Sequence, residues 1–442
     1  MPISIKLGRT AVTVALTTVS GIASAAQFDY TLYAGVEHSD NIGLTATNPI
    51  SQSVLIPGVN FTFVQAGSSV QANVVGNLED RYYPGNTFGN QVFTQLTGQV
   101  NWTMIPQRLD FAFEDYAAVQ PVSSLATNSP DNQQQTNVLS LGPTLHFLLG
   151  TSLRGQAELR YFNSTAQKTK AFDSSREQAA LRIFKDLSAT DQLSVNIESQ
   201  HVDFQNKGGG PNYDRDQIFG RYVSKLARFD IDTMVGWSHI RYDQAPSAST
   251  PLAQVSVSWR LAPSHTLTAM AGRQYSDSAQ DMVASPDQFV PVTIGDLTAT
   301  GGGRAIATGS ANVSSQVYVE QRFEATYAYT TEIVTFRLAP LFRKLSYLND
   351  RTLDEKGRGG SAGLDYHLPG QMVLSGFANQ ETLTYQFLDR KDKRTAYGLT
   401  LSGNRTPHWG WRLSLSHQQQ SSNFSTQNFH ENEIYLGVVF KR

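Results

Sequence analysis

Cysteine is absent from all 442 residues, which excludes disulfides, thiolate metal sites, cysteine nucleophiles and a lipid-modified N-terminal cysteine. Charge is scarce: Asp, Glu, Lys and Arg make up 16% of the chain, and no window of ten or more residues carries helical apolar periodicity. The apolar stretch Ala11 to Ile22 is too short, and too rich in Thr and Ser, for a helix across about 30 Å of hydrocarbon. With Lys6 and Arg9 before it and Ala23-Ser24-Ala25 after it, residues 1–26 read as a secretory signal, leaving 27–442 as the mature chain. Taking Lys6 and Arg9 from the 35 basic residues leaves 33 against 37 acidic ones. That mildly acidic balance points to neither nucleic acid nor an anionic surface as partner.

What is present is alternation. Segments of about 10 to 14 residues put apolar side chains on one face and charges or amides on the other, as expected of strands. In 153–161, Leu153, Ala157 and Leu159 alternate with Arg154, Gln156, Glu158 and Arg160; in 253–261, Ala253, Val255, Val257 and Trp259 alternate with Gln254, Ser256, Ser258 and Arg260. Short turn-like connections fall near 66–69, 105–108, 149–152, 188–191, 226–229, 262–265, 329–332, 368–371 and 406–409, with a longer segment in each interval. This rhythm of strand, long loop, strand, tight turn predicts an all-β, antiparallel up-and-down transmembrane barrel with short periplasmic turns and long extracellular loops. Nine turns imply twenty strands, or eighteen if the Gly-rich stretch 357–367 breaks a hairpin. Strands of this length match a tilted membrane crossing.

Aromatic residues gather at strand ends. Trp102, Phe147, Phe229, Trp259, Tyr327, Trp409 and Trp411 lie beside the short turns; Tyr83, Tyr116, Tyr161, Phe162, Phe204, Tyr242, Tyr275 and Tyr347 lie toward the long loops. The expectation is two interfacial girdles in a bacterial outer membrane, with membrane lipid and lipopolysaccharide as surroundings. Ile434, Leu436, Val438 and Phe440 alternate in the final strand, followed by Lys441 and Arg442. The first strand is expected near Asp29, with little room for a plug ahead of it.

The segment Tyr33-Ala34-Gly35-Val36-Glu37-His38-Ser39-Asp40-Asn41-Ile42 resembles the start of the putative β-barrel porin 2 family, and the likeness in layout extends over the mature chain. The resemblance implies an outer-membrane barrel of a kind often encoded with exopolysaccharide operons, hence polysaccharide or oligosaccharide export, with polysaccharide and periplasmic export components as partners. It supplies no catalytic motif.

Alternation assigns Arg154, Glu158, Arg160, Arg182, Arg221, Arg260, Glu320, Arg322, Glu324, Arg337, Arg343 and Arg412 to the lumen, with Asp110, Glu114, Glu198, Asp230 and Asp232. There they would stay solvated or pair across strands, whereas facing lipid they would cost about 2–4 kcal/mol each at the midplane. A water-filled conduit for hydrophilic solutes and a lumen filled by mutual ion pairs both fit this pattern. The 277–312 insertion, with Asp277, Asp281, Asp287, Asp296 and Gly301-Gly302-Gly303, reads either as an inward constriction or lid or as an external loop. If it closes the lumen, the barrel is structural or adhesive and acts through its outer loops. No metal site and no cofactor is expected, since no D-x-D-x-D-G or H-E-x-x-H spacing occurs. A barrel enzyme is the minor alternative, for which His201 with Asp203 or His239 with Ser238 would have to serve.

Overall fold

The computed structural model describes residues 26–85, 87–206, 209–284 and 313–442. The expected signal lies outside them, apart from Ala26, which opens the first strand. The chain runs through β1 (Ala26–Ser39), β2 (Gln52–Ala66), β3 (Val70–Arg81), β4 (Gln91–Ile105), β5 (Leu109–Pro121), β6 (Gln133–Leu148) and β7 (Leu153–Ala166). It continues through β8 (Ser174–Asp186), β9 (Asp191–Phe204), β10 (Tyr213–Lys225), β11 (Phe229–Tyr242), β12 (Ala248–Ala262) and β13 (His265–Ser276). A short helix α1 (Ser278–Ala284) follows. The remaining strands are β14 (Tyr318–Thr330), β15 (Val334–Tyr347), β16 (Glu355–Leu368), β17 (Met372–Tyr385), β18 (Arg390–Asn404), β19 (Trp409–Ser422) and β20 (Phe429–Lys441).

Each strand pairs antiparallel with the next, and β1 pairs with β20, so the sheet of twenty strands closes on itself. Closure is what allows strands to cross hydrocarbon, because an open edge would leave unpaired N–H and C=O groups costing several kcal/mol each. All nine short turns fall within two residues of their expected positions. The Gly-rich stretch forms β16 in register with both neighbours and not a broken hairpin. Close approach explains one of its glycines: a β-carbon at 359 would lie 2.1 Å from the Gln380 carbonyl oxygen.

The alternation sorts side chains as the sequence implies. Val235 is 62% exposed and Leu436 60%, on a continuous apolar outer surface, whereas the inner face buries polar groups such as Asn196 and Glu381. A water-soluble monomer would not present so wide an apolar face; in a bilayer it is the lipid-contacting band. Beyond the ladder that joins the first strand to the last, Asp40 and Asn41 add side-chain ties at the loop-side end. Asp40 accepts hydrogen bonds from the Asn432 backbone N–H (2.7 Å) and side-chain amide (2.6 Å), and the Asn41 amide donates to the His430 carbonyl at 2.9 Å.

The aromatic girdles need correction. Trp102, Trp259 and Trp409 are exposed on the outer surface near the short turns, as expected. Toward the loops, Tyr83, Tyr116, Tyr242, Tyr275 and Tyr347 are buried instead, and Phe162 and Phe204 pack against interior clusters; only Tyr161 of that group is exposed outward. These rings fill the loop-side end of the lumen. Tyr213 and Tyr242 stack edge-on at 5.6 Å, and Tyr318 and Tyr347 lie 5.0 Å apart.

A candidate conduit and the segment that crosses it

All twelve predicted lumen residues stand on the face opposite the exposed apolar side chains, because each shares the parity of buried neighbours on its strand. Most meet a partner across the ladder. Arg182 on β8 joins Glu158 on β7 to Glu198 on β9, the latter at 2.8 Å. Arg154 pairs with Asp186 (2.8 Å), Arg221 with Asp232 (2.8 Å), Arg260 with Asp230 (2.8 Å) and, more loosely, Arg337 with Asp365 (3.8 Å). Arg322 sits between Glu324 and Glu320. Arg160 spends its guanidinium on the Gly142 and Pro143 carbonyls and on the Thr144 hydroxyl (2.8 Å), and Arg412 lies over the Tyr435 ring while donating to the Ser414 hydroxyl. Asp110, also expected inside, is 2.9 Å from His146.

Amides and hydroxyls occupy much of the remaining inner surface. On β1 to β3, the Asn77 amide donates to Asn60 (2.7 Å) and to the Tyr33 hydroxyl (2.8 Å), which in turn donates to Glu79. Arg81 holds Glu79 at 2.7 Å and Glu37 at 3.3 Å.

The 277–312 insertion divides into a part the structure describes and a part, including Asp287, Asp296 and Gly301 to Gly303, that lies outside the described residues. The described part folds inward. Arg176 on β8 grips Asp277 with both terminal nitrogens, at 2.7 and 2.8 Å, and Tyr213 on β10 donates to the same carboxylate at 3.0 Å. Arg215 on β10 reaches Gln280. On the other side, Arg343 on β15 and Tyr318 on β14 both donate to Asp281, each at 2.6 Å. Ala279 and Met282 then complete an apolar cluster with Ala118, Val138, Ala166 and Phe172 from the β5–β8 wall. A segment leaving β13 thus touches strands on two separated parts of the ring, which only a path through the interior permits.

Burial alone would raise the Asp277 carboxyl, but the Arg176 guanidinium, with further help from Arg215, outweighs it and holds the group at about 2, below its ordinary 3.8. A second inward contact comes from the 122–132 connection: the Leu125 carbonyl accepts from Arg390 on β18 at 2.7 Å. Arg176 and Arg215 were not singled out from sequence, yet each has the parity of a lumen residue already assigned on its strand, Arg182 and Arg221. Arg390 had no such signal.

The imagined enzymatic pairs do not form. His201 bonds to Asp214 (2.7 Å) and His239 to Ser249 (2.8 Å), both across strands and not along them. Among the described residues no group of three or more His, Asp or Glu side chains is placed to hold a metal ion.

Residues 358–442, from β16 to the C-terminus, match the family described as putative beta-barrel porin 2. No curated protein matches the chain in sequence. Among solved structures, the FrpB iron transporter from Neisseria meningitidis (F5-1 variant, apoprotein form) is similar with a TM-score of 0.50 at 9% identity, over 96% of this chain and 82% of that one. A mutant of the ferric enterobactin receptor PfeA from Pseudomonas aeruginosa gives 0.47 at 10% identity, over 95% and 81%. At 9% identity the likeness to FrpB speaks for a shared barrel fold alone. Closed topology, apolar outer band and family match together make this chain a bacterial outer-membrane β-barrel whose C-terminal strands match the putative beta-barrel porin 2 family.

Proposed function

We propose that the protein is a conduit for hydrophilic solutes across the outer membrane, with oligosaccharide or polysaccharide as the cargo class. The observation that carries this reading is the inner face, polar along its strands, on which the ionic groups are largely paired with one another while amides and hydroxyls are abundant. Such a surface offers hydrogen bonds to sugar hydroxyls without a strong field of one sign. Barrels of 16 to 18 strands already enclose an aqueous channel, so a ring of twenty is wide enough before any constriction is counted. The docked segment 277–284 is the constriction in this reading, narrowing the path at the loop-side end.

That same segment supports a second reading, in which the lumen is closed and the external loops do the binding. One experiment separates the two: single-channel conductance of the refolded mature protein in planar bilayers, with oligosaccharides of increasing length. A conduit gives steady steps that sugars reduce in a length-dependent way. Absence of steps, both in the native protein and in an Arg176→Met/Arg343→Met variant that frees the segment, sinks the conduit.

A further inference from the structure

Alternation gives the loop-side ends of β15 to β18 opposite electrical characters on their two faces. Inside, Arg343, Glu355, Arg390 and Asp392 are buried, and Arg390 and Asp392 pair at close range. Outside, every charged side chain of these strands is a cation: Lys344 on β15, Lys356 and Arg358 on β16, and Lys391 and Lys393 on β18. The register sets them in two adjacent rows. Lys344 stands opposite Lys356, which neighbours Thr384 and then Lys391; Arg358 neighbours Thr382 and then Lys393. Like charges directly opposite one another destabilise a sheet, and among the described residues none of the five makes an ion pair.

Elsewhere on the outer surface the barrel supplies its own counter-charge: at the loop-side ends of β9 to β11, Asp214 pairs with His201 at 2.7 Å and with Arg241 at 2.9 Å. On β15 to β18 the outer face of the strands carries no carboxylate to do the same. A recess of about 550 Å³, lined by Lys391, Lys393 and Arg390 against the single carboxylate of Asp389, with Thr384 and Ser421, opens beside the cations. Farther along the same strands the outer face turns to exposed Tyr397, Leu399 and Leu364, the hydrocarbon-contacting band. A ligand meeting both zones carries anionic groups at the height of the cations and acyl chains below. The long-loop end of an outer-membrane barrel faces the exterior, so the leaflet concerned is the outer one. The first row spans three inter-strand spacings, roughly 14 Å at about 4.8 Å each, which is wider than one phosphate.

We propose that this patch is a binding site for a phosphorylated glycolipid of the outer leaflet, of the lipopolysaccharide type, with its phosphates on Lys356, Arg358, Lys391 and Lys393 and its acyl chains along Leu364 and Leu399. The inference is independent of what passes through the lumen. The test uses the full mature chain in detergent and compares binding of bisphosphorylated lipid A with the same lipid after removal of both phosphates. The phosphorylated lipid binds at least roughly tenfold more tightly, binding weakens with added salt, and a K356Q/R358Q/K391Q/K393Q variant loses the difference while K356R/K391R/K393R keeps it. Equal affinity for the two lipids in the unaltered protein overturns the proposal, and that comparison does not depend on any variant folding. Equally tight binding of phosphatidylglycerol, or displacement by millimolar inorganic phosphate, also overturns it, by assigning the patch to single phosphates.

Discussion

Arg182 between Glu158 and Glu198, and Arg343 between Asp281 and Glu320, show how a residue of either sign is accommodated inside this barrel: its neighbours, across the ladder or on α1, carry the opposite charge. The apolar band of the outer face offers no such compensation. Ile197, in the middle of β9 and 52% exposed, therefore gives a sharp expectation. Ile197→Arg lowers the stability of the protein in phospholipid vesicles by about 2–4 kcal/mol, read from denaturant unfolding, because the guanidinium enters hydrocarbon. Face was legible residue by residue from alternation: the arginines assigned to the lumen share the parity of buried neighbours on their strands. Alternation failed with the loop-side tyrosines because membrane-interface rings and rings filling a lumen have the same composition. Tyr116 and Tyr161 differ in parity: Tyr116 shares that of Asp110 and Glu114 on β5, whereas Tyr161 has the parity opposite to that of Glu158 and Arg160 on β7.

At the scale of elements, strand rhythm and turn spacing were written in the sequence because every crossing repeats the same period-two pattern. The helix α1 was not. Seven residues are too few for a helical period, and its stability comes from distant partners, Arg176, Tyr213 and Arg215 on one side and Tyr318 and Arg343 on the other. Of its two grips, Asp277 to Arg176 is the more buried. Removing one partner of such a pair leaves an uncompensated buried charge, at a cost of about 3–5 kcal/mol, so Arg176→Met releases α1 from the wall and raises single-channel conductance. Acid does the same by another route. The docked carboxyl of Asp277 sits at about 2, below its ordinary 3.8, so docking is favoured by the ionised form. That contribution is fully present above the ordinary value and is lost as pH falls through the docked one. Conductance should stay level from neutral pH to about 4, then rise reversibly between about 4 and 2. Asp277→Asn, which holds the group neutral throughout, removes the pH step, and an unchanged step in that variant refutes the assignment to Asp277.

For the whole molecule, closure of β1 on β20 turns local pairing into a global property: the inner face becomes one continuous surface on which charges of both signs are interleaved around the ring. The long-range field along the axis is then a sum of neighbouring opposite charges, weaker than the same residues would produce if segregated by sign. A pore of this kind discriminates poorly between small cations and anions, unlike one ringed by charges of a single sign. In a tenfold gradient of potassium chloride, the reversal potential of the native protein should lie near zero, far from the limit for either ion. Breaking one pair tests the cause. Asp230→Asn leaves Arg260 facing the lumen without its 2.8 Å partner, at the turn-side ends of β11 and β12 and so at the opposite end of the barrel from the docked segment, so pore size is preserved while a positive charge is uncovered. The reversal potential should move toward anion preference, and Arg260→Gln should move it the opposite way by uncovering Asp230. Shifts of the same sign in both variants would mean that selectivity is set elsewhere along the path.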